Sequence, residues 1–168
     1  MAVPTAYIQE CEQEMGPTRR VLERVPGDKG IWKPHEKSLA IGHLAQLVSW
    51  MPDWIANAAT ETELDVAGAP KYSFESTEAI VATFDKNVAA AKAALSAADD
   101  STFGVVWSFK HGERVIFSAP RGAILRNHMN HLIHHRGQLT VYLRLLDIAV
   151  PQVYGPTADE KDTRFQPR

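Results

Sequence analysis

Four of the seven histidines lie between residues 128 and 135, at His128, His131, His134 and His135. A helix turns about 100° per residue, so relative to His135 the side chain of His131 points at about −40°, His128 at about +20° and His134 at about −100°. His131 and His135 are an i, i+4 pair whose rings can converge on one point. Ile124, Leu139 and Tyr142 share their face, so the histidines sit on the stripe that must point inward. A buried imidazole without a partner costs roughly 1–3 kcal/mol, and a divalent metal is the economical partner. Imidazole nitrogen suits zinc and nickel alike. A third ligand has to come from another helix, and His43 is the one histidine elsewhere on an inward stripe. Three histidines and an open position for water would make a site able to do chemistry.

Other readings of the same residues stay open. The histidines could form a hydrogen-bonded core network without metal. His128, one turn up on the correct face, could line a cavity, contact substrate or substitute as a ligand. His134 falls off the stripe, towards the surface. Arg136 could anchor a carboxylate and Gln138 could orient an imidazole, or both could be solvated helix residues. His35 and His111 read as solvated loop residues, and Trp50 and Trp54, at helical spacing, as core. Gly137 in mid-helix suggests close packing of another backbone. Cys11 lies on an inward stripe, where inert burial outweighs a nucleophilic role. No Ser-His-Asp order, phosphate-binding glycine loop, dinucleotide fingerprint or CxxC pair is present.

Four helices must position these groups. A first, from Pro4 or Thr5 to Arg24, has Thr5 as N-cap and Ile8, Cys11, Met15, Thr18 and Leu22 inward; Pro17 suggests a kink. After the loop at 26–37, from which Trp32 folds back over the bundle, a second helix spans about Ser38 to Ala59. Its inner face is Leu39, His43, Leu47, Trp50 and Trp54, with a kink at Pro52. A turn-rich connection covers 60–74. A third helix starts at Ser76 or Thr77 and closes by Asp100, with Ile80, Phe84, Val88, Ala91 and Leu95 inward. VVWSF and RVIFS then flank Lys110–Glu113, as a short hairpin or an extended crossover loop. Ser118 as N-cap and Pro120 open the fourth helix, which runs to about Leu146. The proline-punctuated tail has its last ten residues expected to be mobile. The fold class is therefore all-α, a four-helix bundle in a single domain over 1–168.

With 168 residues, 45% apolar and 23% charged, the chain is an ordinary one-domain globular protein. A net charge of −2 invites neither nucleic acid nor an anionic membrane. No apolar run approaches a membrane span. The single cysteine and an N-terminus unlike a secretory signal fit the cytoplasm.

The run NHLIHHRGQ, the loop segment Trp32-Lys33-Pro34-His35, the stretch SLAIGHLAQLVSWMPDW and the late YGPTADE together resemble the DinB/YfiT-like superfamily over most of the chain. The resemblance implies a bundle of that type, often a homodimer, holding a divalent metal with one histidine from the second helix and two from the fourth. By motif these last are His131 and His135. Many relatives carry the second-helix ligand where this sequence has Leu47, which cannot bind a metal, and His43 lies one turn earlier on the same face. Members of the superfamily include metal-dependent transferases that join low-molecular-weight thiols to small electrophiles. A metal-dependent thiol S-transferase is thus the expected activity. A non-catalytic stress-response or small-ligand-binding bundle with a vestigial metal site is the alternative.

Overall fold

The four apolar stripes become four helices. A computed structural model describes residues 3–161, with α1 at Val3–Leu22, α2 at Ile41–Thr60, α3 at Thr77–Ala97 and α4 at Arg121–Leu145. Cys11, Met15, Thr18 and Leu22 are buried along α1. Thr5 lies inside that helix and is not its cap, because the chain is already helical at Val3. Pro17 and Pro52 are both accommodated within continuous helices. Ser76 caps α3 as expected, its hydroxyl accepting from the Ala79 amide at 3.1 Å. The centre of the bundle is α2, which packs on both α3 and α4. Its Leu44, Val48 and Met51 are completely buried, together with Leu95 of α3 and Leu132 and Leu139 of α4.

The chain is not purely helical. Three short strands, β1 at Glu63–Asp65, β2 at Val106–His111 and β3 at Arg114–Pro120, form a sheet in the order β1-β2-β3. Of the two alternatives for residues 101–119 the hairpin is the one formed, with β2 and β3 antiparallel and Phe109 opposite Phe117. Gly112 makes its turn at φ +59°, a conformation that favours glycine. The connection at 60–74, read as turns, instead contributes β1, which pairs in parallel with β2. That pairing is secured by side chains: Asp65 Oδ1 accepts from the Ala67 and Gly112 amides, both at 2.9 Å. Lys110 also reaches Glu63 at 3.1 Å. Trp107, fully buried, roots the hairpin in the bundle by donating to Asn57 Oδ1 at 2.9 Å.

Ser118 belongs to β3, its hydroxyl 2.8 Å from that of Ser108, so it does not cap α4. The first residue of that helix, Arg121, does something the sequence did not suggest. Its buried guanidinium donates to the carbonyls of Ala59, Thr60 and Glu61, satisfying the C-terminal end of α2 with a positive charge. The tail is better anchored than its prolines imply. Asp159 accepts from the Val150 amide and pairs with Arg144, while Glu160 accepts from the Gln152 amide and pairs with Arg20. The remainder of the stretch expected to be mobile lies outside the described residues.

Candidate metal centre and the cleft beside it

One turn of α4 separates His131 from His135, and their Nε2 atoms come to 2.9 Å. Two imidazoles bound to one ion at metal–nitrogen distances of roughly 2.0–2.1 Å sit about 3 Å apart, so the pair, which shares a ring-to-ring hydrogen bond here, is also spaced as two neighbouring ligands. Gln138 Oε1 lies 2.7 Å from His135 Nδ1. An amide oxygen accepts, so Nδ1 carries the proton and Nε2 is left with its lone pair, the usual outer-shell arrangement for a ligating histidine. Burial lowers the pKa of both rings, with their histidine neighbours adding to the shift and the Gln138 bond opposing it at His135. Both are therefore neutral near pH 7, the form that binds metal.

His43 is not brought to this pair. Its ring lies 3.4 Å from that of Tyr72, centroid to centroid, and Tyr72 in turn stacks on Trp50 at 5.0 Å. Leu47 is buried in the core. Among the described residues, no three His, Cys, Asp or Glu side chains are grouped to hold an ion. The residues present thus fit two ligand positions, with the third left to a rearrangement of His43 or to a molecule from outside. His134 is exposed, its ring edge-on to His135 at 5.1 Å. His35 and His111 are exposed as well.

His131 opens into a cleft of about 980 Å³ bounded by α2, α3, α4 and the sheet. Trp50 and Trp54, expected in the core, are only partly buried and form its wall. Trp54 lies 5.9 Å from His131 and 5.8 Å from His128, measured between ring centres. Phe109 and Phe117, stacked at 5.5 Å, close the opposite side. A signal for them was present in the sequence: Trp107 and Phe109 are two residues apart, hence on one face of a strand. What was not visible is that this face turns towards the histidines.

At the floor of the cleft is His128. It is 6% exposed, and neither ring nitrogen has a hydrogen-bond partner. Desolvation pushes its pKa down to about 4, with His131 contributing, so the ring is neutral. Such a group is costly to leave unpaired.

Arg136 faces away from the cleft. Only 2% exposed, it contacts Glu14 Oε2 at 2.7 Å, Thr18 Oγ1 at 3.1 Å and Tyr154 Oη at 2.6 Å. Tyr154 also donates to Glu14 at 2.8 Å. The carboxylate that Arg136 anchors is the protein's own. A Cβ at Gly137 would meet nothing within 4 Å, so close packing does not explain that glycine. Burial pushes the Cys11 thiol up to about 11, consistent with an inert core residue.

The DinB family model matches residues 1–167, and the chain belongs to the DinB family. It is similar to a DinB-like protein, YjoA, of Bacillus subtilis, with a TM-score of 0.70 and 17% identity over 94% of this chain and 99% of that one. It is also similar to a DinB-like protein of Bacillus cereus ATCC 10987, with a TM-score of 0.68 and 23% identity over 88% and 95% of the two chains. Both likenesses concern the fold. Uncharacterized protein YrdA of Bacillus subtilis (strain 168) is 41% identical over 51 residues, a match spanning 29% of this chain and 30% of that protein. No helix among the described residues is long and apolar enough to cross a membrane.

Proposed function

We propose that this DinB-family protein is a divalent-metal-dependent S-transferase joining a low-molecular-weight thiol to a small electrophile. His131 and His135 hold the zinc or nickel ion, and His43 is the candidate third ligand. The observation that carries the reading is the 2.9 Å approach of two neutral imidazoles at the edge of a cleft large enough for small molecules. A divalent ion there supplies a lowered thiol pKa, hence a nucleophile at neutral pH. The chain's own residues do the rest. Gln138 fixes the His135 tautomer, and Trp50 and Trp54 wall the cleft against water.

Elemental analysis and calorimetric titration with zinc and nickel test the centre, and His131→Ala or His135→Ala should weaken binding at least tenfold. Conjugation of a small thiol to 1-chloro-2,4-dinitrobenzene by the metal-loaded protein tests the activity. A protein that takes up no metal sinks the proposal. Stoichiometric metal without conjugation of any thiol tried favours the second reading, a non-catalytic small-ligand-binding or stress-response bundle. That reading draws support from His43, whose ring lies against Tyr72 and is not grouped with the pair. A homodimer is part of the same proposal: Val106, Val115 and Ile116 are exposed on the hairpin, and light scattering in solution would reveal it.

A further inference from the structure

We propose that Tyr72 gates the metal centre: its ring, wedged between His43 and Trp50, withholds His43 from His131 and His135, and its withdrawal lets His43 complete a three-histidine site. The inference rests on the metal binding proposed above and assigns a positioning role to a loop residue outside the histidine set.

Three features lead there. The first is the wedge. Tyr72 lies against two side chains of α2, His43 at 3.4 Å and Trp50 at 5.0 Å between ring centres. Those two stand seven residues apart, so they share one face of the helix two turns apart, and the tyrosine fills the gap between them. His43 is thereby engaged by a loop side chain and is not grouped with the histidine pair.

The second feature is where the wedge stands. Tyr72 lines the same cleft as His131, whereas His43 does not line it. Trp54 of α2 packs 5.9 Å from His131. Trp32, whose carbonyl accepts from the Ile41 amide at the start of α2, packs 5.8 Å from Tyr142. The two helices are therefore antiparallel, and the stretch of α2 from His43 to Trp54 runs beside the part of α4 that holds His131 and His135. The fold brings His43 to the correct flank, and a single ring stands between it and the cleft.

The third feature is how lightly that ring is held. Residues 66–76 form neither helix nor strand. The segment is fixed on one side by the Val66 amide, donating to the Lys110 carbonyl at 3.0 Å, and the Ala69 amide, donating to the Val66 carbonyl at 3.1 Å. On the other side the Ser73 amide donates to Gln46 Oε1 at 2.9 Å. Between them, no hydrogen bond to a described residue involves Pro70, Lys71 or Tyr72, and Tyr72 is 40% exposed. The ring can therefore leave without breaking a hydrogen bond. A site that is competent in only a fraction of molecules binds its ligand more weakly by that fraction, and one aromatic pair biases a population about two- to tenfold.

The test uses the full chain, stripped of metal with EDTA and dialysed, and measures zinc affinity by competition with a chromophoric chelator. Tyr72→Leu should tighten zinc binding about two- to tenfold. Tyr72→Ala should act in the same direction, and Tyr72→Phe, which keeps the ring, should match the wild type. In a His43→Ala background the gain from Tyr72→Leu should vanish. Zinc affinity that is unchanged or weaker without the ring overturns the gate. So does a gain that survives His43→Ala, since His43 is then not the group released, or a gain that Tyr72→Phe reproduces. Zinc bound by the wild type and unaffected by loss of the ring leaves the metal centre standing and removes only the gate. Zinc bound by neither the wild type nor the variants removes the metal centre and the gate together.

Discussion

At the scale of the residue, the decisive quantities are which imidazoles are neutral and what they touch. His128 has a folded-state pKa of about 4, below the ordinary value near 6.5. Protons therefore bind the unfolded chain first as pH falls. Its contribution to stability is complete above about pH 6.5 and is lost progressively down to about pH 4, amounting to about 3 kcal/mol at most. The metal-free protein should lose thermal stability between pH 7 and 5, and His128→Phe should flatten that decline; calorimetry at the two pH values measures both, and an unchanged slope would count against the burial argument. Metal affinity should also fall in acid, from a pH below the ordinary imidazole value near 6.5, because burial lowers the pKa of both His131 and His135 and ligating imidazoles must shed their protons. Binding that stays flat from pH 8 down to pH 4 would exclude histidine ligation. The pair itself was legible from the sequence, since i, i+4 spacing on an apolar face leaves few alternatives. The place of His43 was not, because periodicity gives a face and not a partner: Tyr72, which occupies that ring, arrives from a loop with no period at all.

At the scale of the element, the bundle is held in register by polar groups that a stripe of apolar residues does not reveal. Arg136 ties α4 to Glu14 of α1 and to Tyr154 of the tail. Arg136→Met leaves a buried carboxylate unpaired and should cost roughly 3–5 kcal/mol. The double variant with Glu14→Gln should lose less than the sum of the two single changes, as chemical denaturation would show. Gly42 offers a second test. A Cβ there would lie 2.6 Å from Phe74 Cγ and 2.8 Å from the Gly30 carbonyl oxygen. Gly42→Ala must therefore displace backbone, costing about 1–3 kcal/mol, and it should loosen the loop that presents Tyr72 to His43. The sequence allowed Arg136 to anchor a carboxylate, but that the carboxylate is Glu14, like the crowding at Gly42, depends on which elements become neighbours. The stripes, the Ser76 cap and the helix ends within a few residues depend only on local sequence, and these were readable.

At the scale of the whole molecule, the sheet distinguishes this chain from a bare bundle. Its hairpin was one of two alternatives in the sequence, but β1 was not foreseen, for a three-residue strand has too little pattern to separate from a turn. The parallel pairing of β1 with β2 spans the whole of α3, and this has a consequence for the order in which the molecule assembles. Parallel strands cannot meet until the intervening helix has folded back, so this contact closes a long loop and forms late. Disrupting the Asp65 turn, as in Asp65→Ala, should then speed unfolding while leaving the folding rate nearly unchanged, a split that stopped-flow kinetics reads directly. The helices that carry the histidines would be in place before the wall that encloses them, and the aromatic cleft would be the last part of the protein to take shape and the first to open.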